Sequence, residues 1–210
     1  MSQLPIRNFL ISCLLIVFAS CSLSTTKGFM KQSPSIDIIS NSYFSDLKKD
    51  YIYKARFNVF KHKFGGILII KKIKKDHHRI VLTSEFGKKI FDFEIMDDIV
   101  KLNYISDVLN KKFIINTLQY DFQILVKQKN KVVKEFSKDH ESIYQTILNK
   151  KFNYYVFSIE NQELIEIINT TKNKEKMRLN FNQVENGIAK SIEIEHQNIK
   201  MSIHLKYISN

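Results

Sequence analysis

The stretch KMSIHLKY, residues 200–207, alternates polar and apolar side chains without a break. Successive side chains of a β-strand point to opposite faces of the sheet, so the pattern places all the apolar side chains on one face. That face consists of Met201, Ile203, Leu205 and Tyr207. A strand with one apolar and one wet face is typical of antiparallel sheets, because parallel sheets are covered on both faces. The stretch therefore predicts an antiparallel sheet with one buried face.

The same alternation recurs over much of the chain. It is clear in residues 53–59, 91–95 and 177–182. Six further runs have the length and composition of strands, namely 65–72, 78–84, 98–105, 152–159, 163–169 and 188–195. Antiparallel sheets of this size usually curl into a barrel or a sandwich. We therefore predict a mainly β, α+β domain of about ten or eleven strands.

One long segment, residues 107–127, has a helical period instead. Its apolar side chains follow the three- and four-residue spacing of an amphipathic helix, at Ile114, Leu118, Phe122 and Leu125. Asp107 or Asn110 is the expected N-cap. Shorter helices are predicted at 138–149 and at 36–48. The expected architecture is one curved antiparallel sheet that carries a few helices.

Composition excludes several classes of protein. The 210 residues are 44% hydrophobic, which is too apolar for a disordered chain, and only 2 Cys and 5 Gly exclude disulfide-rich and collagen-like chains. This length favours a single domain. The net charge of +12 comes mostly from Lys, often in pairs at the ends of predicted elements. These pairs are either solvated turn residues or contacts for anionic lipid head groups.

The first twenty residues have the features of an export signal. A single charge, Arg7, precedes the apolar run 9–18, which is too short to span the ~30 Å hydrocarbon core of a bilayer as a helix. The run ends in Phe18-Ala19-Ser20-Cys21, which resembles the lipobox of bacterial lipoproteins. In that class the chain is cleaved before a lipid-modified cysteine. We therefore predict a signal peptide over residues 1–20.

By the same resemblance, Cys21 is the lipidation site. Residues 21–45 are predicted to be the lipidated cysteine and a flexible tether, because residues 22–35 are small and polar and include Gly28 and Pro34. Buried acyl chains contribute ~0.8 kcal/mol per methylene, so a multiply acylated cysteine is a permanent anchor. Ser22 follows the cysteine, which by resemblance to known sorting signals favours the outer membrane, facing the periplasm. A soluble secreted protein and a retained membrane anchor are the alternatives.

No catalytic arrangement is evident in the chain. His77 and His78 are neighbours whose side chains would point to opposite faces of a strand, and we expect both to be solvated. His196 and His204 have no Cys or carboxylate at a ligand spacing. Nucleotide-binding and serine-hydrolase motifs are lacking. We therefore expect no enzyme activity, no catalytic residues, no metal and no cofactor, and nucleic acid is a poor partner for an exported protein.

Two short motifs predict local backbone structure rather than a functional site. Gly65-Gly66 lies inside a strand pattern, where a glycine pair indicates a β-bulge or a bend of the sheet rather than a phosphate-binding loop. Asp97-Asp98 is expected in a hairpin turn.

Three stretches together carry a resemblance to a known family. They are GILIIKKIKKDHHRIVLTSEFGKKIFDFE (66–94), LNKKFIINTLQYDFQILV (109–126) and SIEIEHQNIKMSIHLKYI (191–208). Over residues 50–208 the chain resembles the LolA/LolB family, and most closely the LolB-like outer-membrane lipoproteins of Gram-negative bacteria. The resemblance implies an unclosed antiparallel β-barrel over residues 46–210, with helices that act as a lid.

It also implies a function. A protein of this kind is a monomer that binds the acyl chains of other lipoproteins in an apolar cavity, takes them from a periplasmic carrier protein and inserts them into the outer membrane. The matching residue types place the cavity lining at Phe57, Val59, Phe91, Phe93, Val100, Leu102, Met201, Ile203 and Leu205. They place the lid at Ile114, Leu118 and Phe122. The alternative is that these side chains pack a filled core.

The resemblance also concerns the turn Ser84-Glu85-Phe86-Gly87. It joins two alternating strands, and Gly87 supplies the backbone freedom of the turn. Receptors of the LolB type carry an apolar residue before glycine on a protruding turn that enters the bilayer, and Phe86 matches it. In the carrier branch of the family an arginine on an early strand holds the lid shut, and Arg79 occupies a comparable stretch.

Two other functions stay open. One is a periplasm-facing lipid-binding or scaffold lipoprotein of the same fold with another ligand. The other is an exported enzyme, which no group of residues supports.

Overall fold

The structure of the protein is a computed structural model that describes residues 28–138, 140–171 and 174–208. The predicted signal peptide and Cys21 lie outside the described residues. Fourteen strands lie within the described residues: β1 Met30–Gln32, β2 Ile38–Ser40, β3 Asp50–Val59, β4 His62–Lys74, β5 His77–Thr83, β6 Lys89–Met96, β7 Ile99–Ile105, β8 Lys129–Lys138, β9 Glu141–Leu148, β10 Lys151–Ser158, β11 Leu164–Thr170, β12 Glu175–Glu185, β13 Ile188–His196 and β14 Met201–Tyr207. A 3-10 turn, Asp107–Leu109, precedes the single α-helix of these residues, α1 (Lys112–Val126).

All the strands belong to one antiparallel sheet. Its order is β1-β8-β9-β10-β11-β12-β13-β14-β3-β4-β5-β6-β7, with β2 also paired to β8. Within the described residues, β7 at one edge does not pair with β1 or β8 at the other, so the curled sheet is an unclosed barrel. This confirms the predicted fold class.

The alternation in residues 200–207 determines which face of the sheet is buried. Ile203 of β14 lies opposite Phe57 of β3 and opposite Ile194 of β13, and all three are at most 1% exposed. Their polar neighbours Ser202 and His204 face away from this core. The inward side chains of the central strands therefore form one continuous apolar concave face.

Helix α1 lies against the concave face, as the stripe at Ile114, Leu118 and Phe122 predicts. These three residues are at most 3% exposed. The helix begins later than predicted, and its N-cap is Lys111, without a side-chain hydrogen bond. Neither Asp107 nor Asn110 is the cap, since both belong to the 3-10 turn and its end.

Three predictions for local structure are wrong. Residues 138–149 form strand β9 rather than a helix, and residues 36–48 form β2 and turns. In β9, ESIYQTIL, the β-branched residues favour a strand, and pairing with β8 and β10 on both sides decides the outcome. The predicted tether carries strand β1, which pairs with β8. Together β1, β2, β8 and β9 account for the excess over the predicted strand count.

The glycine pair in β4 has a different role from the predicted bulge. The register with β3 runs unbroken through Gly65 and Gly66. A Cβ atom added at Gly66 would lie 1.8 Å from the carbonyl oxygen of Thr83, at the end of β5. Glycine is therefore required here because two strands approach closely.

Antiparallel pairing places five turns at the same end of the sheet. They join β3 to β4, β5 to β6, β9 to β10, β11 to β12 and β13 to β14. The 3-10 turn and the start of α1 follow β7 at this end, which we call the upper end. The predicted hairpin turn of Asp97 and Asp98 is confirmed between β6 and β7, at the opposite, lower end.

Candidate functional site

The concave face brings together most of the residues predicted to line a cavity. The buried members, none more than 4% exposed, are Phe57, Val59, Phe91, Phe93, Met201, Ile203 and Leu205. The other two lie on the edge strand β7, where Val100 is partly buried against the core and Leu102 is 36% exposed. Seven of the nine thus lie together on one apolar surface.

Helix α1 occupies this surface. The ring of Phe122 lies 5.4 Å from that of Phe91 and 6.3 Å from that of Phe93, measured between centroids. Leu118 is fully buried beside them. The apolar side of α1 therefore fills the space of the predicted cavity, and a ligand can lie on this face only where α1 moves away from it.

A buried polar contact ties the middle of α1 to the sheet. Asp121 Oδ2 lies 2.8 Å from His196 Nε2 at the end of β13, with both side chains at most 6% exposed. Burial raises the pKa of the Asp121 carboxyl, and the hydrogen bond to His196 opposes that shift. The sequence interpretation missed this contact because the two residues are distant in the chain.

A second polar group lies one residue earlier on α1. The hydroxyl of Tyr120 accepts a hydrogen bond from the Asn169 amide at 3.1 Å and lies within hydrogen-bonding distance of Asn153. Burial raises the pKa of Tyr120 to about 12. The ammonium of Lys151 lies 3.6 Å from the centroid of the Tyr120 ring, in cation–π geometry.

The C-terminal end of α1 is tied to the lower end of the sheet. Lys127 forms ion pairs with Asp97 and Asp98 in the turn between β6 and β7. The side-chain amide of Gln123 donates to the carbonyl oxygen of Asp97 at 3.1 Å. Polar contacts thus hold α1 at its middle and at its C-terminal end, while its apolar side packs on the concave face.

Arg79 does not take part in holding α1. It lies on the outward face of β5 and donates two hydrogen bonds, of 3.1 and 2.8 Å, to Asp92 on β6. Lys89 also donates to Asp92 at 2.8 Å. These cations hold the pKa of the Asp92 carboxyl well below its usual range. The Arg79–Asp92 ion pair therefore links the neighbouring strands β5 and β6.

Asp92→Asn is expected to lower the free energy of unfolding by about 1–2 kcal/mol at pH 7, because it removes a charged acceptor whose cationic partners are exposed. The folded-state pKa of Asp92 lies below the unfolded one, so its contribution is present at neutral pH and is lost as the pH falls. Urea denaturation of wild type and variant, compared at pH 7 and near pH 3, tests this. A stability difference of equal size at both pH values would contradict it.

The structure places Phe86 at the tip of the turn between β5 and β6. Its side chain is 98% exposed. The turn is closed by hydrogen bonds from Gly87 N to Ser84 O and from Ser84 N to Lys88 O, at 2.9 and 2.8 Å. Gly87 has a φ of 78°, which favours glycine.

Other apolar side chains are exposed at the same upper end. Phe60, in the turn between β3 and β4, is 48% exposed, and Phe113, in the first turn of α1, is 50% exposed. Their ring centroids are 6.1 Å apart. Val108, in the 3-10 turn, is 53% exposed. The upper end thus presents several large apolar groups to the surroundings.

The prediction that His77 and His78 are solvated is wrong. His78 is only 2% exposed, and its Nε2 atom lies 3.0 Å from the carbonyl oxygen of Phe44. His77 lies 3.5 Å from a Glu94 carboxylate oxygen.

Among the described residues, no group of three or more His, Cys, Asp or Glu side chains is placed to hold a metal ion. No helix in the same part of the chain is long and apolar enough to span a membrane.

Solved structures of similar shape exist, although sequence comparison finds no relative. The chain matches no protein-family model and no curated protein. A LolA superfamily protein from Nitrosomonas europaea superposes with a TM-score of 0.53 at 7% identity, over 80% of this chain and 88% of that one. A DUF1329 family protein from Desulfovibrio piger gives a TM-score of 0.47 at 12% identity, over 76% and 84% of the two chains. The superposition on the Nitrosomonas europaea protein identifies the fold of this chain as LolA-like.

Proposed function

We propose that the protein is a lipoprotein of the outer membrane that faces the periplasm and inserts other lipoproteins into that membrane. It takes acylated lipoproteins from a periplasmic carrier protein and binds their acyl chains on the concave face. The observation that carries the proposal is the apolar concave face covered by a single amphipathic helix, α1. The LolA-like fold supports it.

The chemistry of α1 suits a removable cover. Its contact with the sheet along Ile114, Leu118 and Phe122 is apolar, and burial of apolar area contributes about 25 cal/mol per Å² whichever apolar group is buried. An acyl chain that replaces the helix therefore restores most of the lost burial. The polar ties at Asp121 and Lys127 add the specific interactions that favour the covered state.

The exposed apolar groups of the upper end suit contact with a bilayer. Phe86 is fully accessible without any change in the fold, and Lys88 and Lys89 follow it two and three residues later. An aromatic side chain with neighbouring lysines matches the interface of a membrane that contains anionic lipids. We infer that this turn enters the outer membrane when the cargo is released.

Binding by this route requires no covalent chemistry and no cofactor. The alternative within the same fold is a lipoprotein that carries or senses another lipid. The polar residues Tyr120, Lys151 and Asn169 favour that alternative, because they line a groove beside α1 where an acyl chain alone would not need them.

Depletion of the protein in its host tests the proposal. Other lipoproteins are expected to accumulate in the periplasm or the inner membrane, which fractionation and immunoblotting detect. Normal arrival of lipoproteins at the outer membrane after depletion would contradict the sorting function and favour the alternative.

Cys21→Ala is expected to prevent lipidation, because Cys21 is the only cysteine at the end of the predicted signal peptide. Metabolic labelling with a radioactive fatty acid measures this, and Cys13→Ala is the matched control that should be labelled like wild type. Labelling of the Cys21→Ala protein would contradict the lipobox interpretation.

A further inference from the structure

A groove lies at the upper end of the sheet, between the first half of α1 and strands β10 to β13. Its volume is about 290 Å³. It lies beside α1, where Tyr120 and Asp121 line it, and it borders the main core at Met177, but none of the residues predicted to line the acyl-chain cavity or to form its lid lines it. The groove is thus a separate feature from the predicted acyl-chain cavity.

Two lysines give this groove a positive charge. Lys151 and Lys176 line it, and neither has a carboxylate oxygen within 4.0 Å of its ammonium among the residues that the structure describes. The one carboxylate in the lining, Asp121, is bound to His196. The ammonium of Lys151 is held over the Tyr120 ring, and burial lowers the pKa of Lys151 against the opposing effect of Asp121.

The rest of the lining combines hydrogen-bond donors with an apolar surface. The amides of Asn116 and Asn198 are exposed in the groove wall. Phe113, Met177 and Ile199 supply the apolar part, and Ile199 packs against the main core. A site with two cations, amide donors and an apolar wall is complementary to a ligand that is anionic at one end and apolar at the other.

We propose that this groove binds an amphiphile with an oxyanion head group, either a carboxylate or a phosphate. The head group lies between Lys151 and Lys176, where charge-assisted hydrogen bonds are strongest. The first methylenes of the chain lie against Phe113 and Ile199. The small volume suits a head group with a short part of its chain, since whole drug-sized ligands occupy about 300–1,000 Å³. This binding does not depend on lipoprotein transfer.

Calorimetric titration of the full chain carrying Cys21→Ala, purified without detergent, tests the proposal. The ligands are octyl phosphate, octanoate, neutral octyl glucoside and inorganic phosphate. At least one of the two anionic amphiphiles is expected to bind about tenfold more tightly than octyl glucoside and than inorganic phosphate, a difference of about 1.4 kcal/mol. Its affinity should fall as salt is added.

Two double variants locate the site. Lys151→Met with Lys176→Met should weaken binding of the anionic amphiphile about tenfold or more. Lys74→Met with Lys75→Met removes the same charge at the exposed end of β4 and in the turn that follows it, at the lower end, and should bind like wild type. Lys151→Arg with Lys176→Arg keeps the charge and should retain binding.

Four results would overturn the proposal. Equal affinity for octyl glucoside would exclude a role for charge, and equal affinity for inorganic phosphate would exclude an amphiphile. Unchanged binding by the Lys151→Met, Lys176→Met protein would exclude this groove. Circular dichroism checks that the double variant is folded. If it is unfolded, the salt dependence of the wild-type protein decides instead. Loss of anionic-amphiphile binding at high salt supports the proposal, and binding that does not depend on salt overturns it.

Discussion

Phe86→Glu is expected to lower the rate of lipoprotein delivery to liposomes by about a hundredfold or more, while the fold and acyl-chain binding stay intact. The fold is unaffected because the Phe86 side chain is 98% exposed and contributes almost no burial. In a bilayer the same side chain contributes about 2 kcal/mol, and a carboxylate there costs a further ~2–3 kcal/mol. Transfer of a labelled lipoprotein from its carrier to liposomes, followed over time, measures the rate.

Ile73→Glu is the matched control for this prediction. Ile73 is 45% exposed, and it lies near the end of β4 at the lower end of the sheet. The Ile73→Glu substitution also replaces an exposed apolar side chain by a carboxylate, but on a different surface, so this variant should deliver cargo at the wild-type rate. Phe86→Leu, which keeps an apolar side chain in the turn, should retain most of the activity. A folded Phe86→Glu protein that delivers at the wild-type rate would rule out Phe86 as the membrane-entering residue.

The central sheet was predictable because its signal is local. A strand with one buried face must alternate, and KMSIHLKY shows the alternation wherever its neighbours lie. The same holds for α1, whose apolar stripe at Ile114, Leu118 and Phe122 has the period of a helix. Element types with a strong periodic signal were therefore predicted correctly.

Strand β9 shows where this local signal ends. The apolar residues Ile143, Ile147 and Leu148 also fit one face of a helix, so the period alone does not separate the two structures. Pairing with β8 and β10 decides for a strand, and that is a property of the whole sheet. Strands β1 and β2 are too short for any period to be read.

The polar contacts of the candidate site were unpredictable for a related reason. The carboxylates nearest to His196 in the sequence are Glu193 and Glu195, yet its partner in the structure is Asp121 on α1, 2.8 Å away. The pair forms only because β13 ends beside the middle of the helix. The same applies to Lys151 and Tyr120, which come from separate elements. Apolar lining residues can be proposed from periodicity, but such pairs require the packing.

In the proposed function, acyl-chain binding depends on movement of α1. Seven predicted lining residues are buried beneath the helix or beside it, so a chain reaches them only after α1 has left the concave face. The polar ties lie at the middle and the C-terminal end of the helix. Its N-terminal end contacts the sheet through Phe113 and Phe60, both of which are half-exposed. This end offers a place to hold the helix without disturbing the core.

A disulfide between Phe60→Cys and Phe113→Cys, in a background with Cys13→Ser and Cys21→Ser, is expected to lower the affinity for a diacylated peptide about tenfold or more. The ring centroids are 6.1 Å apart, so the two side chains are neighbours at the start of α1, and a count of free thiols after oxidation checks that the bond has formed. Reduction should restore binding in the same sample, which separates the effect of the bond from that of the substitutions. A control pair, Ser191→Cys with Lys206→Cys, joins β13 to β14 in register and should bind equally well in both states. Equal binding by the oxidised and reduced Phe60→Cys, Phe113→Cys protein would contradict displacement of α1, because the acyl chains would then bind while the helix still covers the concave face.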